Sequence, residues 1–308
     1  MISSHFIDKI TISLKPYHAY PVFLFVDVIL TSCKPSANVS VDSPSCYNDE
    51  SLHKLKDAWN QRHPDDAITT NIPHKIWAQL KQKLSTVCNT ERCWLNQNFI
   101  QPYLDDHLKS YVFAPTSPAK WNENPTEWLT STDLTRVMRQ YEKAYPHFAF
   151  LGPSPIDFDS PKTHGTCVWE ELCKFNLQKF IKKNIYKIGI IFNVDPHYKG
   201  GSHWIALFIN IKKQFIFYFD SNGRPIPVQV KTFIDKVKAQ GREFGIEFED
   251  DQNHPFRHQE GNTECGIYCL YFIVSLIKGR HTAQYFKTHK IPDTKMERFR
   301  KIFFNKKI

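Results

Sequence analysis

Cys265 stands between the polar stretch EGNTE and the apolar run GIYCLYFIVSLI, a position that the hydrophobic pattern assigns to the first turn of a buried helix. A helix N-terminus offers backbone N–H groups and the positive end of the dipole, which favour thiolate over thiol, and the thiolate is the nucleophile. Gly266, the next residue, lets a substrate backbone approach closely. Taken alone, a cysteine heading an apolar helix is usually a core residue. Cys269, one turn deeper, is read in that way, as packed and inert.

His203 follows Gly200 and Gly201 and opens the run HWIALFIN, so its imidazole sits at a strand edge beside a flexible turn. A base could work there, although a lone histidine at a strand start is more often structural. Asp220 closes the next apolar run, FIFYFD, across a turn at Lys212 and Lys213. Adjacent antiparallel strands bring the first residue of one beside the last of the other, so His203 and Asp220 are expected neighbours. A carboxylate so placed fixes the tautomer of the imidazole and stabilises its charged form; the plainer alternative is an aspartate that caps the turn DSNG. Asn222 is the reserve for that orienting role. Gln259, six residues before Cys265, reads by itself as a surface loop residue.

Together, His203-Trp204, Asp220, Gln259 and Cys265-Gly266, in this order and spacing, resemble the signature of the clan that unites the SUMO (ubiquitin-like-protein) proteases with the adenovirus-type proteases. The likeness runs from Trp128-Leu129 to Ile277 and is particularly close to the processing proteases of large nucleocytoplasmic DNA viruses, of the African swine fever virus and giant virus type. It implies an α+β fold with a papain-like core in permuted order, a mixed sheet flanked by helices. It also implies catalysis by His203, Asp220 and Cys265, with the Gln259 side chain and the Cys265 backbone N–H holding the oxyanion, and with no cofactor or metal. In the SUMO proteases two tryptophans enclose a channel that accepts Gly-Gly, and Trp128 and Trp204 occupy those positions. Ser131 departs from the pattern, standing where those enzymes usually carry an acid.

The resemblance implies a cysteine endopeptidase that cleaves protein substrates after small residues such as Gly-Gly and matures viral structural or polyprotein precursors, in the host cytoplasm at the viral factory or in the virion. The alternatives are removal of SUMO or another ubiquitin-like modifier and, from a different class, acetyl transfer by the same triad.

The elements that must carry these residues follow from periodicity. Residues 46–113 read as a helical unit, with Leu52, Leu55, Ala58 and Trp59 at helical spacing and a second helix opening at Pro73. Residues 1–45 read as an N-terminal extension and 114–125, with Pro115, Pro118 and Pro125, as a linker. Residues 126–308 are the catalytic domain. There Thr130 and Asp133 form a capping-box pattern ahead of a helix to about Tyr145. A helix is expected over 168–183, strands over 185–194, 203–211 and 214–220, a helix over 227–240, a strand over 244–248, and the apolar helix over 265–277.

Composition narrows the rest. A chain of 308 residues with 41% hydrophobic residues and 11 Gly is ordered and large enough for a sizeable core. The apolar stretch from Tyr20 to Leu30 is too short to span a bilayer and is broken by Asp27, so no membrane span is indicated. Of the net charge of +9, the segment from Lys278 to Ile308 holds most, with ten Lys or Arg against Asp293 and Glu297. That segment is either a basic surface for nucleic acid or an amphipathic terminal helix with a solvated charged face. Eight cysteines are too sparse for a disulfide scaffold, and the seven beyond Cys265 cannot all pair, which favours a reducing compartment. Cys88 and Cys93 lack the second ligand pair that a zinc site needs.

Overall fold

The computed structural model describes residues 33–35, 45–106, 108, 112–162 and 165–306, and the readings made for Tyr20 to Leu30 and most of 1–45 lie outside them. Residues 31–308 form one compact unit. Its N-terminal part is built on α1 (Asp49–Arg62), whose first turn is capped by the Asn48 side chain, and α2 (Pro73–Leu84), which starts on a proline that has no N–H to leave unpaired. Leu52, Leu55 and Ala58 pack against Ile76, Leu80 and Leu84, closing a small core that also takes in Trp94 of α3 (Glu91–Trp94).

The stretch 114–125 is pinned rather than free. Asn305, near the C-terminus, donates its backbone N–H to the Pro115 carbonyl and accepts from Ser117 N–H, while its amide bonds the Ala114 carbonyl. Helix α4 (Ser131–Ala144) then begins with a complete capping box, Thr130 and Asp133 each bonding the other's backbone N–H.

The sheet has five strands in the order β1 (Phe148–Pro155), β2 (Lys187–Asn193), β3 (Trp204–Asn210), β4 (Phe215–Phe219) and β5 (Glu249–Gln252), parallel at both edges and antiparallel in the middle. Central strands are apolar on both faces because both faces are covered. Along β3, Ala206 and Phe208 face the core under α8 (Cys265–Lys278), whereas Ile205, Leu207 and Ile209 face the core under α7 (Val228–Arg242). Helix α8 lies hard against the sheet, and a Cβ on Gly189 of β2 would come within 2.8 Å of the Ile273 side chain.

Two expectations are corrected and one strand was missed. Strand β1 was not foreseen, because Gly152, Pro153 and Pro155 break the pattern that marks a strand; as an edge strand it tolerates prolines that a central one would not. The helix expected over 168–183 is two short ones, α5 (Glu170–Cys173) and α6 (Leu177–Lys182), the second begun by an Asn176 side-chain cap. The strand expected over 244–248 is instead 249–252, since Phe248 is consumed as a core anchor and the ladder with β4 starts only after it.

The cysteine reading is corrected too. Cys33–Cys46, Cys88–Cys93 and Cys167–Cys173 are disulfides, each between partners close in sequence, while Cys265 and Cys269 are free. The bridges staple loops locally, which counting cysteines over the whole chain does not reveal. Two further short helices, α9 (Tyr285–Thr288) and α10 (Asp293–Phe303), complete the layer around α8. Among the described residues no helix is long and apolar enough to cross a membrane.

Candidate active site

Helix α8 starts at Cys265, so the sulfur sits on the first residue of the helix, where the backbone N–H has no partner within the helix. Cys265 is free and only 3% exposed. His203 immediately precedes β3 and Asp220 immediately follows β4, and the register Ala206 to Phe219 brings the two together as the hairpin count predicts. The His203 Nε2 to Asp220 Oδ1 distance is 2.7 Å, with both residues buried. Cys265 is the second group that acts on the imidazole, and it too favours the charged form. Burial opposes charge on His203, but the bond to Asp220 and the attraction of Asp220 and Cys265 outweigh it, and the imidazolium is held up to about 9. Such an arrangement stores a proton on the imidazole beside a nucleophilic sulfur.

Asn222 lies farther off. Its Nδ2 is 3.5 Å from His203 Nε2, beyond a good hydrogen bond, and its backbone N–H instead donates to the same Asp220 oxygen at 2.8 Å. Cys269 is fully buried, and burial, with the charges at Cys265 and Asp220, pushes its thiol well above the usual range. It is inert packing, as read.

Gln259 is 1% exposed, not a surface residue, and its backbone N–H bonds the Ser221 carbonyl. Its Oε1 accepts from Ser221 Oγ at 2.7 Å, which turns the NH₂ end of the amide away from Ser221. The loop before it is fixed by groups that motif reading does not single out. Asn253 Oδ1 accepts the Asp220 N–H at 2.9 Å and Asn253 Nδ2 donates to the Asp220 carbonyl at 2.7 Å, extending the ladder by a side chain where β5 has ended. His258 sits at hydrogen-bond distance from the Phe286 carbonyl through Nε2 and receives Ile291 N–H on Nδ1. Burial lowers its pKa to about 4, so it stays neutral.

Trp128 and Trp204 line one cleft of about 520 Å³ together with His203, Pro153, Trp169 and His197. Trp204 donates its indole N–H to the Leu129 carbonyl at 2.9 Å, which ties the two tryptophan-bearing segments together. Gly266 is buried, and a Cβ there would meet the Leu129 side chain at 3.0 Å, so the glycine serves the packing of Leu129 on α8 instead of leaving room for a substrate backbone. Arg300 of α10 was not foreseen as an individual either. It is buried, pairs with Glu264, and donates to the Thr126, Glu127 and Thr263 carbonyls, joining the approach to Trp128 to the loop before Cys265. Nothing local in the sequence separates it from the other basic residues around it.

The profile of the Ulp1 protease family, C-terminal catalytic domain, matches residues 132–308, more than half of the chain. The chain is 27% identical over 256 residues to a protein of Acanthamoeba polyphaga mimivirus described as a thiol protease, with 77% of this chain and 82% of the relative covered. It is 25% identical over 256 residues to a cysteine protease of African swine fever virus, with 78% and 91% covered. The crystal structure of an African swine fever virus protease superposes with a TM-score of 0.65 over 90% of this chain and 96% of that one, at 21% identity, which establishes likeness of fold. The α+β architecture inferred from the motifs is the one observed.

Proposed function

The chain belongs to the Ulp1 protease family, a cysteine protease on that ground, and from this membership we propose that Cys265, His203, Asp220 and Gln259 cleave a Gly-Gly-X bond in precursor proteins. The observation that carries the proposal is the buried His203–Asp220 pair, 2.7 Å apart, with the free Cys265 acting on the same imidazole. The Cys265 thiolate attacks the scissile carbonyl carbon. The tetrahedral oxyanion is met by the Gln259 amide and the Cys265 N–H, and such a donor lowers the barrier by about 3 kcal/mol. His203 gives its proton to the leaving amine as the C–N bond breaks, forming a thioester. It then takes a proton from the water that releases the acid product.

Specificity for glycine rests on sterics. Trp128 and Trp204 share the wall of a cleft that reaches His203, and two indole faces leave room for a glycine backbone but little for side chains. The viral relatives support maturation of viral structural or polyprotein precursors as the setting, and with it the host cytoplasm or the particle as the place of work. Deconjugation of a ubiquitin-like modifier is the second reading, favoured by the same tryptophan pair. A Gly-Gly-ended electrophilic probe, with the modified residue mapped by mass spectrometry, tests the nucleophile: labelling at Cys265 is expected, and labelling elsewhere refutes it. Cleavage of a folded modifier conjugate with no cleavage of unrelated Gly-Gly precursors would move the assignment to deconjugation. Transfer from labelled acetyl-coenzyme A would move it to acetyl transfer.

A further inference from the structure

Resting on the oxyanion role proposed for Gln259, we infer that Ser221 is the positioning residue that aims this amide, so that the end of β4 organises both halves of the catalytic machinery. Ser221 and Gln259 are each 1% exposed, and the Ser221 hydroxyl donates to Gln259 Oε1 at 2.7 Å. The Ser221 carbonyl accepts the N–H groups of both His258 and Gln259, at 2.8 and 2.9 Å, so backbone and side chain of one serine grip the loop at the residue that matters.

A glutamine amide is nearly symmetric in shape and could present either end to the reacting carbonyl. Only the NH₂ end donates. A hydroxyl fixed on Oε1 selects that end before substrate arrives, and preorganised donors avoid reorganisation during the reaction. Asp220 and Ser221 are consecutive and follow directly on Phe219, the last residue of β4. The carboxylate bonds His203 and the hydroxyl bonds Gln259. The loop backbone is held independently of that hydroxyl, by the Ser221 carbonyl and by Asn253, so removing the hydroxyl frees the amide without releasing the loop.

The test is a double-mutant cycle with two reactions of the same sulfur in the full chain. Hydrolysis of a Gly-Gly-ended peptide amide passes through an oxyanion. Alkylation by iodoacetamide, in which the sulfur displaces iodide, does not. Ser221→Ala is expected to lower kcat for the amide roughly tenfold, the scale of one neutral hydrogen bond, with KM little changed. The rate and pH profile of alkylation are expected to stay at wild-type values, which also reports an intact site. In a Gln259→Ala background, Ser221→Ala is expected to cost nothing further. The inference is overturned if Ser221→Ala leaves amide hydrolysis unchanged, if it slows alkylation to the same extent, as misfolding or a displaced Asp220 would, or if its cost persists in full without Gln259. Unimpaired hydrolysis by Gln259→Ala would instead remove the oxyanion reading itself, and the inference with it.

Discussion

Arg300 Nε lies 2.8 and 2.7 Å from the two carboxylate oxygens of Glu264, the residue directly before Cys265, and both partners are buried. The most basic segment of the chain thus contributes a guanidinium to the support of the active-site loop, and this residue is structural whatever the exposed lysines around it bind. Truncating one partner of a buried ion pair leaves the other charge uncompensated, at a cost of about 3 to 5 kcal/mol. Arg300→Ala is expected to lower the melting temperature sharply in thermal unfolding, and an unchanged melting curve would reject the clamp.

Cys265→Ala should lose turnover by about 10⁴-fold or more, because the remaining groups supply only binding and oxyanion stabilisation. Circular dichroism should match the wild type, since the substitution removes one buried sulfur. Persistent hydrolysis by the purified variant would end the nucleophile assignment.

Asp220→Asn should cost more than Asn222→Ala. The first removes the negative charge 2.7 Å from the imidazole, while the second leaves intact the Asn222 backbone N–H that bonds Asp220. A loss of about 10²-fold or more in kcat is expected for Asp220→Asn. The reverse ranking would transfer the orienting role to Asn222.

The pH profile follows from the raised pKa of His203. The leaving amine needs the imidazolium proton, so activity should fall as pH rises through about 9, and Asp220→Asn should move that basic limb to lower pH. The same shift is a stability term. An unfolded histidine releases its proton near 6.5 whereas the folded one holds it, so the stabilisation is complete below about 6.5 and vanishes as pH climbs through the folded value. A basic limb that Asp220→Asn leaves in place would contradict the origin given for the shift.

Gly266→Ala should disturb the tryptophan cleft through Leu129. The added Cβ would press on the Leu129 side chain at 3.0 Å, and Leu129 carries the carbonyl that holds Trp204. Overpacking of this kind costs about 1 to 3 kcal/mol. Reduced stability together with a raised KM is expected; unaltered kinetics and melting would show that Leu129 yields freely.

The order and type of the central elements were legible in the sequence because local physics writes them there. Thr130 and Asp133 bond within one turn, the run from Cys265 to Ile277 is apolar all round, and a hairpin of known length fixes which residues oppose each other. His203 and Asp220 could therefore be paired by counting, and Cys265 placed at a helix start. Tertiary structure alone decided the rest. Strand β1 exists because β2 offers it a ladder, against its own prolines. Gln259 is buried because Ser221 and the ladder around Asn253 fold its loop inward, and Gly266 packs against Leu129, a residue more than a hundred positions away. Arg300 reaches Glu264 only when the terminal helix docks on α8. Contacts within a turn or a hairpin leave a periodic trace in the chain, whereas contacts between distant segments depend on how whole layers pack and leave none.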